Sequence, residues 1–181
     1  MQSITSSIIV IVVMCATSLT TEAVTFDWVT VGNPSNPNDS TGEGQVDYTY
    51  KIARNEVTNA QYVEFLNAVA ATDTFGLYNE LMGSTAWGGI TRSGLSGSYI
   101  YSIRDDAIGQ GPGGGDFTYA NKPVVYVSFY DAMRFVNWLQ NGQMTGAQGI
   151  GTTEDGAYTI SNELDEVRSA NARFFIPSGD E

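Results

Sequence analysis

Pro123 to Leu139, PVVYVSFYDAMRFVNWL, is the stretch on which the reading of the fold turns. It opens with an apolar, β-rich run, Pro123 to Ser128, expected to be a buried strand. Ser128 then offers its hydroxyl as a helix N-cap. Asp131 falls in the first turn, where a negative charge complements the helix dipole. Ala132, Phe135, Val136 and Leu139 recur at helical spacing and make one apolar face, with Trp138 in the same run and Arg134 and Asn137 off that face. Gly142 follows as a helix stop. A strand running into a capped helix points to a mixed α and β fold.

A second capped helix lies upstream. Thr58 and Gln61 form a T-x-x-Q capping box. Tyr62, Val63, Leu66, Val69 and Ala70 continue as one stripe, so the helix is expected from Asn59 to about Ala71. Before it, Phe26, Trp28, Thr30 and Val31 favour a strand. Asn33 to Asp39 is dense in turn formers. Val46, Tyr48 and Tyr50 alternate with polar residues, as in a half-buried strand.

Between the two helices, residues 83–121 hold half of the 20 glycines and read as a long Gly-rich insert of surface loops. Within it Ser98 to Ile103 alternates as a short strand. Gly109 to Gly115 lacks the Gly-Lys-Ser/Thr ending of a phosphate-binding loop and reads as a plain loop. After the second helix, Gly156 to Ile160 and Arg173 to Ile176 are candidate short strands, the latter ended by Pro177-Ser178. No repeat of solenoid length is present.

The N-terminus carries the targeting signal. Ile8 to Ala16 is an uninterrupted apolar run, too short to span a bilayer as a helix and of signal-peptide length. Thr21-Glu22-Ala23 has the small residues of a cleavage site. Residues 1–23 are therefore expected to be a signal peptide. A single domain is then expected over 24–181, in a product that is secreted, cell-surface or periplasmic and has no transmembrane helix after signal removal. Cys15, the single cysteine, falls inside the signal, so no disulfide framework is expected.

With 20 acidic and eight basic residues the net charge is −12. Such a balance disfavours nucleic acid, whose affinity comes from Lys and Arg neutralising phosphates. There is no histidine, which removes the Ser-His-Asp triad and the HExxH zinc site. Asp105-Asp106 and Glu163, Asp165 and Glu166 read as solvated acidic loops, because nothing fixes a carboxylate separation there. No catalytic, cofactor-binding or metal-ligating residue is assigned. Trp28, Tyr50, Tyr62, Phe65, Phe129, Tyr130, Phe135 and Trp138 could form a sugar-stacking surface, but at this spacing the expectation is core.

Three stretches are more specific. Tyr50 to Phe65 (YKIARNEVTNAQYVEF) resembles the opening of the formylglycine-generating, sulfatase-modifying factor domain. Pro123 to Leu139 is similar to that family's second signature, and Arg173 to Glu181 (RFFIPSGDE) to the start of its third. The matching positions are Glu56, Thr58, Tyr62, Pro123, Ser128, Asp131, Ala132, Trp138, Pro177, Ser178 and Glu181, all read as scaffold. The third signature departs at Gly179, and after its Glu, at Glu181, the family would continue with Trp.

The resemblance implies an α+β, loop-rich architecture like the C-type-lectin-like fold of formylglycine-generating enzymes, of which residues 26–181 would be the N-terminal half. The expectation is a chain truncated at its C-terminus and inactive as it stands. By resemblance, a full-length parent would use a cysteine pair to bind copper and oxidise a sulfatase cysteine, with calcium in late loops. None of those residues has a counterpart here. Two other readings stay open: a non-catalytic extracellular binding module on the same scaffold, with a sulfatase-like protein or a glycan as partner, and a fragment with no activity of its own.

Overall fold

The computed structural model describes residues 23–106, 112–115, 117–161 and 166–181. The expected signal run with Cys15, residues 109–111 of the Gly109–Gly115 stretch, and Glu163 and Asp165 lie outside the described residues.

Two helices and two hairpins organise the chain. β1 (Trp28–Val31) pairs antiparallel with β2 (Tyr50–Ala53), matching Trp28 to Ala53 and Val31 to Tyr50. Helix α1 (Asn59–Val69) follows, then the single-turn α2 (Leu81–Ser84). β3 (Ile90–Ser93) pairs antiparallel with β4 (Ile100–Ile103), and α3 spans Phe129–Gln140. Beyond these elements most of the described chain is turn and loop. The mixed α and β content agrees with the expected class.

Both helices begin as their sequences dictate. The Thr58 hydroxyl accepts from the Gln61 amide while the Gln61 side chain accepts from the Thr58 amide. Ser128 and Asp131 repeat this reciprocal arrangement at α3. Each box satisfies amides that the first helical turn leaves without intrahelical partners. At the far end of α3, Asn141 is the C-cap and Gly142 adopts φ +79°, the left-handed conformation that stops a helix.

The helices pack through aromatic rings. Phe65 of α1 lies 5.3 Å from both Phe135 and Trp138 of α3, and Tyr62 lies 5.4 Å from Phe65. All four are buried, with Leu66, Val69, Leu77, Met82, Ile90 and Tyr101 around them. Burial of each such side chain contributes roughly 1.5–3 kcal/mol. The expectation of core therefore holds for Tyr62, Phe65, Phe135 and Trp138. Trp28 and Phe129 are instead exposed, and Tyr50 and Tyr130 are half-buried.

Several expectations are corrected. Pro123 to Ser128 is not a strand. It makes one bridge, Thr58 to Pro123, with the Val124 amide donating to the Val57 carbonyl at 2.9 Å. Tyr126 then takes φ +63°, which turns the chain out of any ladder and into α3, and Val124 to Val127 are only half-buried. Arg173 to Ile176 forms no ladder either. The second strand begins at Tyr50, not Val46, because the Asn36 side chain holds the backbone of Gly44 and Val46 in a turn.

The Gly-rich insert is not merely surface. Its β3–β4 hairpin packs on α1, where Asn67 donates to the Tyr101 carbonyl and accepts from the Tyr101 amide at 2.9 and 3.0 Å. Ile90, Tyr101 and Tyr119 are buried. Gly88 and Gly89 are required by close approach: a Cβ on Gly88 would run into the Met82 carbonyl, and one on Gly89 into the Asn59 amide. Among the described residues, no helix is long and apolar enough to cross a membrane.

Candidate functional site

The scaffold residues read from the sequence fall into connected places. Thr58 and Pro123 bridge the first two motifs, while Ser128 and Asp131 cap α3. Tyr62 donates its buried hydroxyl to the Leu77 carbonyl, and Trp138 donates its indole N–H to the Met144 carbonyl. Ala132 and Pro177 line the same cavity, and exposed Glu56 stands at its edge. In the third motif Ser178 and Glu181 bond to each other, and the Glu181 carboxylate accepts from Arg168 at 2.8 and 3.0 Å and from the Tyr48 hydroxyl.

Arg134 and Asn137, read as lying off the apolar face, are buried. Arg134 forks onto Glu154 at 2.8 and 3.0 Å beneath the Phe75 ring and lies 3.9 Å from Asp131. Asn137 donates to the Thr153 and Tyr158 carbonyls and accepts from the Tyr158 amide. These partners belong to the loop after α3. The helical period cannot reveal them, because that loop covers the helix face the pattern assigns to water. Burial pushes the Asp131 carboxyl above its ordinary value, although its hydrogen bonds from Ser128 oppose the rise. Burial also raises the hydroxyls of Tyr62 and Tyr101.

The described surface carries a trough. One part, of about 610 Å3, lies between the β1–β2 hairpin, α3 and the segment Arg173–Pro177. A second, of about 490 Å3, continues over the outer end of the hairpin. Trp28, Tyr50, Lys51, Arg173, Phe174 and Phe175 line both parts and form the junction. The antiparallel register sets Lys51 opposite Thr30 and diagonal to Trp28 on one face of the hairpin. Trp28 in turn packs 6.1 Å from Phe174.

Charge is distributed unevenly around this trough. Arg54, Arg92, Arg104, Arg134 and Arg168 are each paired with a carboxylate, and Lys122 lies over the Phe117 ring. Among the described residues, Lys51 and Arg173 have neither an ion pair nor a ring contact, and both are exposed. Sequence reasoning missed this pair. The two cations are far apart in the chain, and only their rarity in so acidic a protein marked them.

The residues present do not fit the metals implied by resemblance. The chain has one cysteine and no histidine, so it holds no cysteine pair for copper. Among the described residues, no group of three or more acidic, His or Cys side chains could hold a metal ion. Asp106 is paired with Arg104, and Asp105 is exposed.

No curated protein and no solved structure matches the chain. A family model does, that of the Sulfatase-modifying factor enzyme 1-like domain, over residues 28–178. The span takes in both hairpins, both capped helices and all of the trough's lining except Phe26. The chain thus belongs to the sulfatase-modifying factor enzyme 1-like family.

Proposed function

We propose that this chain is an exported, sulfatase-modifying-factor-like domain that serves as a binding scaffold and does not itself generate formylglycine. The observation that carries this reading is where its motif residues are used. Thr58, Ser128 and Asp131 are spent on caps, Tyr62 and Trp138 on the core, and Ser178 and Glu181 on a mutual bond. The sequence has no imidazole, and among the described residues no thiol lies beside them. Oxidation of a sulfatase cysteine by a parent protein would need copper ligands that these 181 residues lack.

The C-type-lectin-like architecture belongs to the same reading. It is supported by family membership and by the pattern of few short elements joined by long loops. Export is supported by the apolar run Ile8 to Ala16. The binding role is supported by the aromatic trough, since ligand sites are typically concave and mostly apolar with a few placed polar groups.

The test is incubation of the full chain with a cysteine-containing sulfatase peptide, copper and oxygen, followed by mass spectrometry. The peptide is expected to keep its thiol. Conversion to the aldehyde overturns the reading.

A further inference from the structure

We infer that the junction of the trough is a docking site for an extended acidic peptide, one with apolar side chains on either side of a carboxylate. The inference rests on the reading of this domain as a binding scaffold and names the class of its partner.

The argument begins with charge. A protein of net charge −12 has carboxylates to spare, and five of its eight cations are engaged by them. Of the other three, Lys122 lies over the Phe117 ring, and the remaining two, Lys51 and Arg173, both line the place where the two parts of the trough meet. Neither supports the fold through a charge contact. An anion seated there would meet the Lys51 ammonium and the Arg173 guanidinium beside low-dielectric aromatic walls, where its attraction is screened less than on open surface. Glu56 lines only the inner part and Arg54 is occupied by Asp27, so the junction itself is cationic.

The walls decide between carriers of that anion. Trp28, Tyr50, Phe174 and Phe175 flank the cations, and beyond them Val124, Phe135 and Leu139 continue the inner part. Such a lining offers large apolar contact and few hydrogen-bonding groups. A sulfated or carboxylated saccharide would leave most of its hydroxyls without partners there, at a cost for each buried group. A peptide would place Leu or Phe side chains along both parts and its carboxylate at the junction. Aromatic anchors surrounded by charged rims are the usual form of such surfaces.

The experiment uses the full chain and a fluorescein-labelled probe peptide, Ala-Leu-Phe-Asp-Asp-Phe-Leu-Ala, read by anisotropy. A second probe replaces both Asp with Asn, and a sulfated heparin disaccharide competes. The Asp probe is expected to bind about tenfold tighter than the Asn probe at low salt, with the gap closing as salt rises. Lys51→Met and Arg173→Met keep the apolar stems, leave melting unchanged because both sites are exposed, and each lose most of that selectivity. Equal binding of the two probes overturns the inference while leaving the scaffold reading intact. Displacement by the disaccharide of a probe whose binding ignores Asp also overturns it, in favour of a glycan. Aldehyde formation in the earlier assay would sink the scaffold reading alone.

Discussion

At Asp131 burial and capping pull against each other. Its carboxylate accepts from the Ser128 amide and hydroxyl, yet its surroundings are apolar enough that burial wins and the group resists ionising. The folded form therefore holds its proton to higher pH than the unfolded chain does. Between the ordinary carboxylate value of 3.8 and that raised value, the native state binds more protons. Stability from this group is thus present at low pH and is lost as pH rises through the window. Asp131→Asn keeps an acceptor for Ser128 and removes the titration. Its melting temperature relative to the parent is expected to improve steadily as pH is raised from about 4, and melts at several pH values would reveal a flat difference if burial did not dominate.

The same residue shows what a sequence can and cannot disclose. That Ser128 caps α3, with Asp131 in its first turn, was legible, because the two are only three positions apart. That Arg134 and Asn137 are buried was not, because their partners Glu154 and Tyr158 arrive from a loop with no periodic signal. The trough is the extreme case. Lys51 and Arg173 are brought together by the third dimension alone, and no local pattern joins them.

Among the elements, the helices were readable and the strands only partly so. A helix carries its own hydrogen bonds and caps, so Asn59–Val69 and Phe129–Gln140 follow from local chemistry. A strand exists only with a partner. Pro123–Ser128 has the composition of one but finds a single bridge, and Ile90–Ser93 is a strand because Ile100–Ile103 folds back on it. The capping boxes should therefore be energetically separable from the ladders. Thr58→Ala and Ser128→Ala are each expected to cost about 1 kcal/mol. Denaturant titration would measure this, and a change below about 0.3 kcal/mol would mean the reciprocal bonds are not holding the helix starts.

Over the whole molecule, the segment near Glu181 is tied to the first third of the chain. Asp180 accepts from the Gly44 amide at 2.9 Å, and Tyr48 and Tyr50 donate to the Glu181 carboxylate and carbonyl. The Glu181 side chain is only 2% exposed, and Arg168 is its cation. Arg168→Met would leave that carboxylate enclosed without a counter-charge. Faster amide exchange is expected in 44–50 and 173–181, with α1 and its aromatic partners still protected. Uniform acceleration across the domain would mean that the tie and the core unfold as one unit.

One further tie joins distant parts of the chain. The Val24 amide donates to Gln143 at 2.6 Å, and Gln143 donates back to the Val24 carbonyl at 2.9 Å, so a side chain stands in for a neighbouring strand. Val24 is the residue that processing after Ala23 would leave first. Its amide would then become an ammonium group, and the Gln143 oxygen would hold it by a charge-assisted bond, stronger than the neutral one. Were the chain processed there, a glutamine just beyond the stop of α3 would hold its new end.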